Sequence, residues 1–139
     1  MAKKLEKSFH QEICEHLDLK YPSVIYSVDP SGIRLSNFGT INEVKKKRCK
    51  NWKNLDLPIY FPNNKYHGLF LEVKKETPYL INGELSKDKT IREQQKTIEE
   101  FIRLGYYATF VWELQQAQNI IDKYTVSYTH LTLPTNREV

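Results

Sequence analysis

Two short apolar segments near the middle of the chain constrain its fold most. Leu55 to Phe61 and Leu69 to Lys75 have the composition of β-strands, and Pro62-Asn63-Asn64-Lys65 lies in the connection between them. If the strands pair symmetrically about Asn64, alternate positions on both are apolar and share one face. The pairs on that face are Leu55 with Val73, Leu57 with Leu71, and Ile59 with Leu69. A slip by one residue would turn this face towards water, so the pattern predicts this register.

The opposite face of the predicted hairpin carries the chemistry. The register places Asp56 across from Glu72, and Lys74 follows two residues later on the same side. Like charges on opposed strand positions are destabilising, and a hard divalent cation between them would remove that cost. We therefore predict that Asp56 and Glu72 bind Mg²⁺ or Mn²⁺, while the Lys74 ammonium orients the attacking water or stabilises charge on a phosphate.

The same residues have an ordinary structural interpretation. Glu-x-Lys on a strand is common by chance and usually forms a solvated face. Pro58 cannot donate a ladder hydrogen bond, so it indicates a sheet edge or a bulge. The opposed Asp56 and the apolar reverse face favour the functional interpretation.

The remaining elements predict an α/β fold, in which a mixed central β-sheet is flanked by helices. Leu5, Phe9, Ile13 and Leu17 recur every four residues and predict a first helix. The second long helix carries Ile91, Ile98, Phe101 and Ile102 on its apolar stripe, with Gly105 just beyond its end. In order, the predictions are a helix over Lys4 to Leu19, a strand over Val24 to Val28, a turn at Asp29 to Gly32, a short helix over Ile41 to Arg48, the two central strands, a helix over Thr90 to Leu104, a strand over Tyr106 to Trp112 and a helix over Glu113 to Tyr124.

Length and composition favour one domain, over residues 1–125. A chain of 139 residues with 40% hydrophobic content can bury one ordinary core. The net charge of +4 and a pI near 9.0 fit a polyanionic partner such as nucleic acid, although many basic proteins bind none. Cys14 and Cys49 lack metal-ligand spacing, and we interpret them as reduced thiols of a cytosolic protein. No signal peptide or apolar run of ~20 residues is present, so we expect no membrane association and a cytoplasmic protein, in the host cytoplasm if the gene is phage-encoded.

The last fourteen residues, 126–139, read VSYTHLTLPTNREV. This string resembles the conceptual translation of a sequencing adapter, and we interpret it as a non-native tail and exclude it from functional reasoning. A short terminal strand is the alternative, because Tyr128 and Thr129 have high β-propensity.

Several segments of the chain, in order, resemble a VRR-NUC domain, a branch of the PD-(D/E)xK nucleases found in phages and bacteria. The segment from Tyr66 to Lys74, YHGLFLEVK, is similar to the family pattern around its Glu-x-Lys. Asn54-Leu55-Asp56-Leu57 stands where the family usually has Gly-x-Pro-Asp-Leu, so Leu55 replaces the usual Pro. The other matching segments are the opening helix from Glu6 to Glu12, Glu93-Gln94 at the start of the second helix, Gly105-Tyr106, and Ala117, Ile120, Ile121 and Tyr124 in the closing helix.

The resemblance implies a restriction-endonuclease-like PD-(D/E)xK core, a divalent metal and cleavage of DNA, with branched DNA as one candidate substrate and a homodimer as one candidate assembly. It implies that Asp56 and Glu72 are metal ligands and that Lys74 is the catalytic lysine. Gln94 and Glu6 correspond to further active-site residues of the family. Gln94 also lies on the apolar stripe of its helix, where a structural hydrogen bond is the ordinary explanation. Glu6 is as readily a solvated carboxylate.

The densest basic stretch predicts a nucleic-acid contact, because clustered cations bind phosphates. A solvated charge run is the alternative. The residues are Lys45, Lys46, Lys47, Arg48, Lys50 and Lys53, with Trp52 among them. The sequence as a whole predicts a metal-dependent deoxyribonuclease. The alternatives are a non-catalytic nucleic-acid-binding module with the same fold and a subunit whose site is completed by a partner.

Overall fold

The computed structural model describes residues 8–29, 42–43, 46–47 and 49–136, with the backbone alone for the last ten of these. The predictions for Leu5, Glu6, Lys45 and Arg48 lie outside the described residues, as does most of the turn predicted after Asp29. Residues 42–43 and 46–47 are helical, within the range predicted for a short helix.

The described elements form an α/β fold around a mixed three-stranded sheet with strand order β1-β2-β3. Strands β1 and β2 are antiparallel, whereas β2 and β3 are parallel and connected through a helix. In chain order the elements are α1 (Phe9–Lys20), β1 (Leu57–Ile59), β2 (Leu69–Val73), α2 (Lys89–Arg103), β3 (Tyr107–Val111) and α3 (Leu114–Asn136).

The predicted hairpin register is confirmed over the paired residues. Leu57 lies opposite Leu71, and Ile59 lies opposite Leu69. Both strands are shorter than predicted, and β1 has only three residues. The parallel ladder continues one residue beyond β2, because the Lys74 N–H donates to the Val111 carbonyl at 2.8 Å. The backbone at Lys74 is therefore fixed although it lies outside the strand.

Pro58 sits inside β1 without breaking its pairing with β2. The segment from 25 to 29 runs along the other edge of β1, where the Ser27 N–H donates to the Pro58 carbonyl at 3.0 Å. The N–H that Pro58 lacks would point to this same outer side, away from β2. The strand predicted over Val24 to Val28 is reduced to a single antiparallel bridge, between Tyr26 and Ile59.

Helices cover both faces of the sheet, so the fold has three layers. The first face packs against α1 and α3 through residues such as Ile13, Leu71 and Ile121. The second face packs against α2 through Phe70 and Ile98, joined by two residues of β3. Because α2 packs on the second face of the hairpin, that face is covered, and the alternative of a solvated face at Glu72 is wrong.

The prediction that Leu55 lies on the face of Leu57 and Val73 is wrong. Leu55 is 1% exposed and belongs to the core beneath α2, with Phe70 and Ile98. The paired strand begins only at Leu57, and the chain bends at Asp56. Strand alternation therefore does not extend back to Leu55, and its side chain packs on the opposite side.

The helix ends follow capping chemistry more closely than the apolar periodicity. Ser8 has extended backbone and its hydroxyl accepts from the Gln11 N–H at 3.1 Å, so α1 begins at Phe9 and the predicted helix is not continuous through Ser8. Asp88 caps α2 in the same way, because its carboxylate accepts from the Ile91 N–H at 3.1 Å. Ile102 is 51% exposed, so its assignment to the apolar stripe of α2 is wrong.

Gly105 sets the turn from α2 into β3. Its φ is +99°, and a Cβ there would lie 2.6 Å from Cδ2 of His67. Only glycine meets both demands without strain. The Gly105 carbonyl accepts from the His67 N–H at 2.9 Å, which aligns the start of β3 with β2.

Helix α3 extends beyond the predicted Tyr124 to Asn136, so the alternative of a terminal strand after Thr125 is wrong. The interpretation of residues 126–139 as a non-native tail stays a prediction. Within the described ranges, no helix is both long enough and apolar enough to cross a membrane.

The position of Leu55 can be tested with double-mutant cycles. We expect Leu55→Ala and Ile98→Val to couple by about 0.5–3 kcal/mol in the free energy of unfolding, because both side chains belong to one packed cluster. Leu55→Ala and Leu17→Ala should add to within about 0.5 kcal/mol, because Leu17 lies across the sheet. Urea denaturation of the single and double variants gives both values. Coupling to Leu17 without coupling to Ile98 would contradict this placement.

Candidate active site

Hydrogen bonds join Asp56, which immediately precedes β1, to the end of β2, where Glu72 lies. The Asp56 N–H donates to Oε1 of Glu72 at 3.2 Å, and Oδ2 of Asp56 accepts from the Val73 N–H at 2.9 Å. Each carboxylate thus contacts the backbone beside the other. The bend that turns Leu55 under α2 frees the Asp56 backbone for this exchange, which replaces the ladder hydrogen bonds of a regular strand.

Glu72 is the most heavily buried of these charged groups, at 5% exposed. Burial, the charge of Asp56 and a hydrogen bond to its side chain together raise the pKa of Glu72 to about 9, while Lys74 and the Asp56 N–H oppose the rise. Near neutral pH the carboxylate pair therefore retains a proton. A cation between the two groups would replace that proton.

Gln94 reaches the same carboxylate from α2. Its Nε2 donates to Oε2 of Glu72 at 3.0 Å, so both oxygens of Glu72 have a partner. The Gln94 Oε1 is buried and, among the described residues, has no hydrogen-bond partner. A buried acceptor without a partner is costly.

Lys74 follows Glu72 by two residues, and its backbone is fixed by the bond to Val111. Its positive charge acts on Glu72, since it lowers the pKa of that carboxyl against the larger effect of burial. The side chain is half-buried. Asp56, Glu72 and Lys74 therefore belong to one electrostatic unit.

A cleft of about 650 Å³ opens above Glu72 and Gln94. We call it the carboxylate cleft. Its walls are the segment from 49 to 54 on one side and α2 on the other, with Lys50, Lys53 and Lys96 among the lining residues. Asp56 and Lys74 do not line the cleft but stand beside Glu72. Glu93 also lines the cleft from α2, so the lining carries three lysines and two carboxylates. Such a mixed lining can hold a cation and an anionic ligand together.

The basic stretch divides into two groups. Lys50 and Lys53 line the carboxylate cleft. Lys46 and Lys47 are exposed and lie 3.5 Å and 3.9 Å from the carboxylate of Glu43. Lys45 and Arg48 lie outside the described residues. The structure thus brings two of the six predicted nucleic-acid contacts to the cleft floored by Glu72.

The site fits a divalent cation, with two carboxylates and one neutral oxygen as candidate ligands. Oxygen ligands are what Mg²⁺ and Mn²⁺ prefer, and the partnerless Gln94 Oε1 beside Glu72 is an acceptor that a cation would satisfy. Within the described ranges no group of three or more Asp, Glu, His or Cys side chains could hold a metal. Glu6 lies outside those ranges.

Sequence reasoning missed Lys96, Thr90 and Thr97, which line the cleft from α2. A signal for one of them was present. Gln94 and Thr97 are three residues apart on α2 and are half-buried and buried, whereas Thr90 is exposed. Polar residues at such spacing along a buried stripe indicate a site, because each needs a partner.

Comparison with known proteins identifies no family for the chain. A scan against protein-family models and a search of the curated proteins both find no match. Among solved structures, a protein described as "VRR_NUC domain protein" is similar at a TM-score of 0.43 and 22% sequence identity. The similarity covers 66% of this chain and 64% of that chain, so this chain spans less than two thirds of the solved protein's length.

The raised pKa of Glu72 predicts a pH-dependent cost in stability. Below about pH 4.5 the carboxyl is protonated in both the folded and unfolded states, and no cost arises. Between pH 4.5 and about 9 the unfolded chain releases the proton and the folded chain keeps it, so the folded state loses stability as the pH rises. Glu72→Gln keeps the acceptor oxygen and removes this titration.

We therefore expect Glu72→Gln to be more stable than the wild type near pH 9 in metal-free buffer, by about 3–5 °C in Tm for ~1 kcal/mol. The difference should shrink towards pH 4.5. Glu76→Gln, at an exposed position nearby, is the matched control and should show no such trend. Thermal unfolding across the pH range measures it, and a constant offset between Glu72→Gln and the wild type would contradict the burial of a titrating carboxyl.

Proposed function

We propose that this chain is a metal-dependent nuclease that hydrolyses phosphodiester bonds in DNA. The observation that carries the proposal is the joining of Asp56 and Glu72 beside a cleft lined by lysines. Two carboxylates in mutual contact indicate a cation site, and lysines above them indicate an anionic substrate. Hydrolysis of a phosphodiester requires both a cation site and a surface that binds phosphates.

In this proposal Asp56 and Glu72 hold one Mg²⁺ or Mn²⁺, and the Gln94 Oε1 offers a third oxygen. When bound, the cation would neutralise the two carboxylates, polarise the scissile phosphate and make water a better nucleophile. Gln94 also positions Glu72, because its Nε2 fixes one carboxylate oxygen and leaves the other facing Asp56. The hydrogen bonds from the Asp56 N–H and the Gln94 Nε2 would orient Glu72 before a cation binds.

Lys74 supplies fixed positive charge beside the carboxylates. Its backbone bond to Val111 holds the root of the side chain at the end of the sheet, two residues after Glu72. The ammonium stabilises negative charge that develops on the phosphate oxygens, or orients the attacking water. Lys50, Lys53 and Lys96 bind neighbouring phosphates of the strand and hold it across the cleft.

The alternative function is a nucleic-acid-binding module without catalysis. The contacts above join two carboxylates, and within the described residues no group of three or more Asp, Glu, His or Cys side chains could hold a metal, which favours the alternative. The same observation would be explained if a partner subunit completed the site. DNA binding that is independent of metal, with no cleavage, distinguishes the alternative from the nuclease.

The nuclease is tested by incubation with supercoiled and branched DNA in Mg²⁺ or Mn²⁺. We expect cleavage by the wild type and a loss of about 100-fold or more in rate for Asp56→Ala and for Lys74→Ala, because each removes fixed charge from the reacting centre. Lys75→Ala is the matched control, since Lys75 is the exposed neighbour of Lys74, and it should retain the wild-type rate. Equal cleavage by the wild type and both active-site variants would overturn the assignment.

A further inference from the structure

We propose that an aromatic pocket beside the carboxylate cleft binds an unpaired nucleobase of the strand that is cleaved. The inference rests on the proposed nuclease function and narrows its substrate to DNA with an unpaired nucleotide near the scissile bond. The pocket has a volume of about 810 Å³, within the range of about 300–1,000 Å³ of small-molecule sites. Its aromatic residues are Trp52, Tyr60, Phe70 and Phe101.

Aromatic side chains from four segments line this pocket. The Phe70 ring is buried, with its centroid 4.4 Å from that of Phe101 and 6.4 Å from that of Tyr60. Trp52 and Tyr60 are 41% and 51% exposed, although aromatic side chains of this size usually bury their rings. Rings left open to solvent around a concave site are platforms on which a base can stack, whatever its sequence.

The pocket and the carboxylate cleft lie next to each other. They share the lining residues Cys49, Trp52, Lys53, Asn54 and Thr97. A ligand that spans both would place an apolar, planar group on the aromatic side and an anionic group over Glu72 and the lysines. A nucleotide has this combination, whereas a lipid chain or an apolar peptide lacks the anion next to the ring.

The charges around the pocket fit the same occupant. Lys47, Lys53 and Arg103 are the basic lining residues, and Asp29 and Glu100 are the acidic ones. Arg103 donates from Nε to the Glu100 carboxylate at 2.7 Å, so that acid is already paired. Lys53 lies in both compartments and can contact the phosphate between them. A base within a stacked duplex cannot enter such a pocket, so its occupant has to be unpaired.

Fluorescence of Trp52 tests the binding directly, without cleavage. The chain has two tryptophans, and Trp112 packs against Tyr79, so Trp112→Phe leaves Trp52 as the emitter. In EDTA, a single-stranded oligonucleotide should quench Trp112→Phe, and an abasic strand of equal length should not. Trp52→Phe, in which Trp112 emits, should show no quenching. Equal quenching by the intact and abasic strands, or binding without quenching, would overturn the proposal.

Cleavage kinetics provide the second arm. A single abasic nucleotide is moved along the strand, and one position near the cleaved bond should lower kcat/KM about tenfold. Trp52→Ala should lower kcat/KM on the intact strand by the same factor and add no loss on the abasic strand. Trp112→Phe serves as the matched control and should respond like the wild type.

Failure of the base-pocket proposal and failure of the nuclease proposal give different results. Cleavage that is insensitive to abasic positions and to Trp52→Ala would sink the base pocket and leave the nuclease standing. An absence of cleavage with every metal would sink the nuclease, and the quenching experiment would still decide whether the pocket binds a base.

Discussion

The buried carboxylate of Glu72 is the constraint on which the site depends. A carboxylate at 5% exposure is costly unless it is protonated, hydrogen-bonded or paired with a cation. The fold supplies the hydrogen bonds from two directions, the Asp56 backbone and the Gln94 side chain. It places Asp56 beside Glu72, which raises the cost, and then places Lys74 nearby, which lowers it. The cation that we propose between the carboxylates would give this arrangement a chemical reason.

The three-layer fold creates this environment. If α2 were absent, Glu72 would lie on an open sheet face and would be solvated. Packing of α2 through Ile98 and Phe70 covers that face and carries Gln94 to the carboxylate. The turn at Gly105 then returns the chain to the sheet as β3, next to β2. The site is therefore a product of the α2 crossover as much as of the hairpin.

Part of the fold was predictable from the sequence for physical reasons. The hairpin register follows from alternation about Asn64, because a slip would expose apolar residues such as Leu57 and Leu71. The position of Leu55 was not predictable, because strand alternation was extended through a bend at Asp56 that no local residue signals. The helix that covers the Glu72 face was also not predictable, since a strand sequence does not show which helix will pack on it.

Some features of the candidate site were likewise predictable from the sequence, and others were not. The nearness of Asp56, Glu72 and Lys74 was predictable from the hairpin register, although Asp56 itself lies at the bend before the paired strand. The contact of Gln94 was predictable because Gln94 lies on an apolar stripe, where a polar side chain needs a partner. The aromatic pocket was not, because its rings come from segments that tertiary packing brings together.

The central claim is that Asp56 and Glu72 bind a divalent cation, and calorimetric titration with Mn²⁺ tests it most directly. The account predicts one site in the wild type, proton release from Glu72 on binding near neutral pH, and loss of the site in Asp56→Asn and Glu72→Gln. The exposed Glu76→Gln should bind like the wild type. Absence of Mn²⁺ binding by the wild type, or equal binding by all four proteins, would contradict the account.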